Sequence, residues 1–193
     1  MPINYRETKF IKSAASERDL VQTSVPVVAF SGKSNVGKSS VINRLLDRAN
    51  FARVGATPGK TAHINYFDVN GKILFADLPG YGFAKVSKTE RDRWAQLCES
   101  FFGLRLLTLG IMIVDARHKP TADDAVMAGW YRESECAVVV VANKVDKVKK
   151  SELAGNLAVI EETLALPGAE IIPFSAETGL GREKLAAAIE RLV

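Results

Sequence analysis

Apolar residues fall in short blocks along this chain, and the blocks alternate between two periods. VPVVAFS at 25–31 is a continuous apolar run, as expected of a buried strand. KSSVINRLLDR at 38–48 sets Val41, Ile42, Leu45 and Leu46 on one helical face. HINYFDV (63–69) and KILFAD (72–77) flank Asn70-Gly71. Both turn residues tolerate positive φ, so these runs are expected to pair as an antiparallel hairpin. SKTERDRWAQLCESFFG (87–103) predicts a helix with Trp94, Leu97, Cys98 and Phe101 or Phe102 inward. LGIMIVDA (109–116) predicts a buried strand, and Pro120-Thr121 begin a helix that reaches Glu133. CAVVVVANK (136–144) is the next strand, Ser151 caps a helix that reaches Leu164, EIIPFSA (170–176) is the last strand, and REKLAAAIERL (182–192) the last helix.

After the hairpin, strand and helix alternate, and the strands are apolar throughout. That pattern predicts an α/β fold: a mostly parallel, six-stranded sheet with one antiparallel edge strand and helices on both faces. Residues 1–193 are expected to form one domain, with about residues 1–22 as a short N-terminal extension. In sheets of this kind ligands sit beyond the carboxyl ends of the strands. The chemistry-bearing motifs fall there.

Gly32-Lys33-Ser34-Asn35-Val36-Gly37-Lys38-Ser39 fits G-x-x-x-x-G-K-[ST] between a strand and a helix. The backbone of such a loop wraps phosphate with its N–H groups, and the helix N-terminus adds the positive end of a dipole. Lys38 would reach the β- and γ-phosphates, and the Ser39 hydroxyl would bind Mg2+. Asp77-Leu78-Pro79-Gly80 follows the strand KILFA. Asp77 is the second Mg2+ candidate, through water, and Gly80 would offer its N–H to the γ-phosphate. Asn143-Lys144-Val145-Asp146 selects guanine. Its carboxylate accepts from both the ring N–H and the exocyclic amine, a pair that adenine lacks, and a mismatch there costs a few kcal/mol. Ser175-Ala176-Glu177 follows the strand IIPF, where the Ala176 N–H would contact guanine O6, and Phe174, which precedes it, joins the candidate nucleotide-binding residues. Gly59, Lys60, Thr61 and Ala62 precede the hairpin and His63 opens its first strand; all five are candidate nucleotide-binding residues. Thr61 is chosen over Thr57 as the residue that completes Mg2+ coordination and senses the γ-phosphate. Lys38, Thr61 and Gly80 are the candidate catalytic residues.

Charge and composition change this picture little. Of the 193 residues, 47% are hydrophobic and 25% charged, as in an ordinary globular protein. No apolar run approaches the roughly 18 residues of a membrane span. The N-terminal stretch lacks an apolar signal-peptide core, and no lipidation box occurs at either end. Cys98 and Cys136 lie far apart, outside any metal-ligand spacing, and are expected to be reduced thiols of a cytoplasmic protein. A net charge of +4 permits an acidic partner without demanding one. Lys85, Lys88, Arg91 and Arg93 follow the second motif, and Lys144, Lys147, Lys149 and Lys150 surround the third. They are candidates for a face toward RNA phosphates.

Taken in order, the motifs are those of translation-factor-related P-loop GTPases. SAAS, GKSNVGKSS, TPGKT, DLPGYGFAKV and RDRW narrow the match, and the chain resembles the EngB (YihA/YsxC) family of bacterial GTPases over about residues 8–190. The resemblance implies a Ras-like fold, GTP and Mg2+ binding, slow intrinsic hydrolysis, association of a monomer with the large ribosomal subunit or its precursor, and a link to normal cell division and septation. Tyr81 occupies the place where many GTPases carry a water-orienting Gln. The resemblance also makes Asn35 the candidate ligand for an assisting K+. A second reading keeps the GTP switch but gives it a protein partner at the division site.

Overall fold

In the computed structural model, residues 3–52, 62–82 and 87–193 are described. The chain runs β1 (Thr8–Ala14), β2 (Val27–Gly32), α1 (Lys38–Leu46), β3 (Ile64–Val69), β4 (Ile73–Asp77), α2 (Lys88–Gly103), β5 (Leu107–Asp115), α3 (Ala122–Glu133), β6 (Ala137–Asn143), α4 (Lys150–Leu164), β7 (Glu170–Pro173) and α5 (Arg182–Leu192). The strands form a seven-stranded sheet in the order β1-β3-β4-β2-β5-β6-β7. The Ras-like α/β architecture expected from the sequence is present, with one more strand than expected. Residues 8–14 form β1, which pairs antiparallel with β3. The antiparallel strand β3 therefore lies second from the edge, covered by β1, instead of at the edge itself.

The hairpin forms as the sequence predicts. Asn70 and Gly71 both take positive φ, 57° and 66°, and Val69 pairs with Ile73. From β4 through β2, β5 and β6 to β7 the pairing is parallel. These strands are buried on both faces, and alternate residues feed different layers. Phe30, Ile111, Ile113, Val139 and Val141 pack against Val41, Ile42, Leu45 and Leu46 of α1 and Leu185 and Ile189 of α5. Met112, Val114, Val140 and Ala142 face Met127 and Tyr131 of α3 and Ile160 and Leu164 of α4. Ala29, Tyr66, Leu74 and Ala76 face Leu97 and Phe101 of α2.

Helix ends follow local chemistry. Ser87 caps α2 in a reciprocal capping box with Glu90, and Thr121 does the same for α3 with Asp124. Ser151 does not cap α4. The N-cap is Lys149, two residues earlier, so Ser151 lies within the first turn. The α1 helix stops at Leu46, where Asp47 turns left-handed (φ 53°). No described helix is long and apolar enough to cross a membrane.

Candidate functional site

The carboxyl ends of β2, β4, β5, β6 and β7 converge, and each delivers one piece of the site. Gly32 ends β2, and the next residues fold into a loop that leads directly into α1. Inside it the Val36 N–H donates to the Lys33 carbonyl at 3.1 Å. Asn35 (φ 64°) and Gly37 (φ 95°) both turn left-handed, which tightens the loop. At Gly37 a side chain has no room as well as the wrong φ, because a Cβ would stand 2.5 Å from Asn143 Nδ2. Lys38 opens α1, and its ammonium pairs with the Asp77 carboxylate at the end of β4. Both side chains are largely buried. Ser39 sits half-buried in the same helical turn. The lysine and carboxylate expected to take phosphate and metal are thus brought together, and Ser39 follows Lys38 directly in the chain.

Gly80 lies against the phosphate loop. A Cβ there would approach Ser34 N to 3.5 Å and the Gly32 carbonyl to 3.6 Å. The next residue ties the two loops together, since the Ser34 N–H donates to the Tyr81 carbonyl at 2.8 Å. The Tyr81 side chain turns away into the layer beneath α3 and donates to Asp124 Oδ1 at 2.7 Å. Burial and the adjacent Asp124 carboxylate push the phenol well above its ordinary pKa, so it stays a neutral donor.

The residues expected to select guanine form one hydrogen-bonded unit with the loop after β2. Asn143 Nδ2 donates to the Val36 carbonyl at 3.0 Å, and its Oδ1 accepts the Ala176 N–H at 3.2 Å. One buried amide therefore ties together the loops after β2, β6 and β7. Lys144 takes a left-handed φ of 69° and donates to the Asn35 carbonyl at 2.8 Å and to Asp115 Oδ2 at 2.9 Å. The Ser175 hydroxyl donates to Asp146 Oδ1 at 2.5 Å. Beside them opens a cavity of about 280 Å3 lined by Gly37, Ser40, Asn143, Lys144, Asp146, Lys147, Ala176 and Glu177. Val36, Leu78, Val145 and Phe174 point their side chains into the core layers, so they serve the site through backbone and packing. Ala62 and His63 lie half-buried just before β3, and Pro79 half-buried after β4. Gly59, Lys60, Thr61 and Lys85 lie outside the described residues.

Several contributors escape a motif reading. Asp115, at the end of β5, is gripped by Arg117 through two guanidinium bonds of 2.9 and 2.7 Å as well as by Lys144. Burial pushes its carboxyl up, but the hydrogen bonds from Arg117 and Lys144 outweigh that and hold it well below the usual carboxylate range. Arg44 of α1 donates to the carbonyls of Ala176 and Glu177 and pins the loop after β7. Asp115 ends a buried strand at the ligand-bearing side of the sheet, a signal that was available; Arg44 had none beyond its helix. Lys144 also changes role relative to the expected basic face, because its ammonium is spent inside the site. Lys88, Arg91, Arg93, Lys147, Lys149 and Lys150 are exposed. Among the described residues no cluster of three or more His, Cys, Asp or Glu is arranged to hold a metal. Ser39 and Asp77 carry hard oxygen donors of the kind that suit Mg2+.

The geometry has counterparts among known proteins. The family described as 50S ribosome-binding GTPase matches residues 27–144, and that of the elongation factor Tu GTP binding domain matches residues 98–193. A probable GTP-binding protein EngB of Bacillus mycoides is 42% identical over 182 residues, covering 93% of this chain and 92% of its own length. Its counterpart in Exiguobacterium sibiricum is 42% identical over 184 residues, covering 94% and 95%. A crystal structure of a probable GTP-binding protein engB superposes with a TM-score of 0.70 at 23% identity, over 86% of this chain and 97% of that one. Era, solved with MgGDPNP and nucleotides 1506–1542 of 16S ribosomal RNA, gives a TM-score of 0.63 at 22% identity, over 89% of this chain and 57% of its own.

Proposed function

The chain belongs to the EngB family of P-loop GTP-binding proteins, and from that premise we propose that residues 1–193 act as one GTP-binding domain and slow GTPase that switches with its nucleotide during assembly of the large ribosomal subunit. The observation that carries the nucleotide part is the single buried amide of Asn143 joining the phosphate loop to the guanine loops around one cavity. The ribosomal part is supported by the description of the family matched over residues 27–144. The exposed cations beside the site suit RNA phosphates. The effect on division and septation then follows indirectly, from ribosome supply, in a cytoplasmic, monomeric protein.

In this reading Asp146 and the Ala176 N–H recognise guanine, Lys144 lies along the base, and the loop 32–39 wraps the phosphates. Ser39, Asp77 and Thr61 would hold Mg2+, which neutralises phosphate charge when bound. Lys38 then exchanges Asp77 for phosphate oxygens, so nucleotide entry swaps one partner for another and leaves no buried charge unpaired. Gly80 offers its N–H to the γ-phosphate. Tyr81 is committed to Asp124 and cannot orient water, which argues for slow hydrolysis. Asn35, exposed at the loop's crest, is proposed to recruit K+ as a substitute electrostatic group. GTP turnover is therefore expected to be faster in KCl than in NaCl at equal ionic strength. Equal rates in the two salts remove the K+ role.

Co-sedimentation with purified large ribosomal subunits tests the switch. Binding is expected with a non-hydrolysable GTP analogue and is expected to fall with GDP or without nucleotide. Absence of binding in every state, with GTP still bound tightly, would replace the ribosome by a protein partner.

A further inference from the structure

We propose that Trp94 is a positioning residue for the γ-phosphate contact: its indole N–H sets the orientation of the Pro79–Gly80 peptide and so aims the Gly80 N–H. Trp94 Nε1 donates to the Pro79 carbonyl at 2.9 Å. That carbonyl and the Gly80 N–H belong to one planar trans peptide unit, in which C=O and N–H point in opposite directions. Fixing one fixes the other. The carbonyl is held toward α2 by the indole, while Gly80 itself lies 3.5 Å, at the position of a Cβ, from the phosphate loop at Ser34.

Both flanks of this peptide are anchored. Before it, the proline ring locks φ. After it, the Tyr81 carbonyl accepts the Ser34 N–H at 2.8 Å and the Tyr81 hydroxyl is tied to Asp124. Rotation of the Pro79–Gly80 plane is the freedom left, and the indole bond removes it. The indole is in turn rigid. It stacks on Trp130 of α3 with centroids 5.6 Å apart and planes 17° from parallel, and it meets Tyr81 edge-on at 6.0 Å. Trp94 is half-buried and directs its polar edge at this loop carbonyl. Its placement links any shift of α2 or α3 to one N–H at the phosphate site.

The inference rests on the proposed reading that GTP binds here with its γ-phosphate at Gly80. GDP has no γ-phosphate, so the two nucleotides separate positioning from bulk stability. In Trp94→Phe the ring is kept and the N–H is lost. Affinity for a non-hydrolysable GTP analogue is expected to fall about 5–10-fold, the worth of one oriented hydrogen bond. GDP affinity should stay within about twofold, and single-turnover GTP cleavage should slow by a similar 5–10-fold. Trp130→Phe, which alters the stack but not the bond to Pro79, should leave the ratio of the two affinities unchanged. If Trp94→Phe weakens both nucleotides equally, or neither, Trp94 is a packing residue and the inference fails while the GTP reading stands. If the wild-type chain binds neither nucleotide, the GTP reading itself fails, and this inference with it.

Discussion

At the scale of single residues, the site depends on charges that no motif contains. Asp115 is one of them: it accepts from the Lys144 ammonium, which also donates to the Asn35 carbonyl, while the Arg117 guanidinium clamps the same carboxylate. Asp115→Asn removes the charge and keeps the shape. Lys144 loses an ion pair, its stem gains freedom, and affinity for guanine nucleotides should fall about tenfold, given that a charge-assisted hydrogen bond contributes roughly 1.5–3 kcal/mol. The same variant has a pH signature. A carboxyl whose folded-state pKa is depressed stabilises the fold wherever the unfolded chain would also be ionised, that is, above the ordinary Asp value near pH 4. That stabilisation is lost as pH falls below this value toward the folded pKa, which lies well under the usual range. Urea denaturation of both proteins should therefore give a stability difference that is flat from about pH 5 to 8 and shrinks below about pH 4. A difference that grows on acidification would rule out the carboxylate as its source.

At the scale of elements, what could be read in the sequence tracks what is local. The phosphate loop, the hairpin turn and the N-K-x-D run are contiguous, and each brings the residues that its geometry needs, as Gly37 and the Asn70-Gly71 turn illustrate. Strands buried on both faces announce themselves as unbroken apolar runs, so β2, β5 and β6 were plain. The β1 strand was not, for physical reasons. Its sequence TKFIKSA sits at a sheet edge, where lysines deter further pairing. A register shift between Phe10 and Lys12 breaks the period of two, and leaves Phe10 and Ile11 about half exposed. Ser151 illustrates a different limit. A serine near a helix start is a capping signal, but the helix there begins at Lys150 and the cap falls two residues earlier, on Lys149. What the sequence withheld at the site was pairing across elements: Asp115 with Lys144, Tyr81 with Asp124, Trp94 with Pro79 and Arg44 with the loop after β7. Each side chain is legible by itself as core or surface, and its partner is chosen by the fold.

At the scale of the whole molecule, β1 turns an apparent tail into a structural part of the domain. The residues leading into it reach across to α5: Tyr5 is buried in the layer beneath α1 and α5, and its hydroxyl donates to the Ala186 carbonyl at 3.3 Å. Arg48, at the end of α1, donates to the Thr8 carbonyl at 2.6 Å, and the Asn70 N–H of the hairpin donates to the Glu7 carbonyl at 2.9 Å. Removing residues 1–14 would therefore strip a ladder from β3, open the core at Tyr5 and free a hydrogen-bonding edge. An aromatic of that size buries roughly 150–250 Å2, so the apolar loss from Tyr5 alone is about 4 kcal/mol. Against a total stability of roughly 5–15 kcal/mol for a typical domain, that is a large fraction. The truncated chain should unfold at a clearly lower urea concentration than the full chain and self-associate through the bared edge of β3 in sedimentation velocity. Nucleotide binding should survive in whatever fraction stays folded, because the loops proposed to hold phosphate and guanine lie at the carboxyl ends of β2, β4, β6 and β7, not on β1. An unchanged urea midpoint would mean that the N-terminal strand is a detachable extension, and that β3 tolerates an open edge without it.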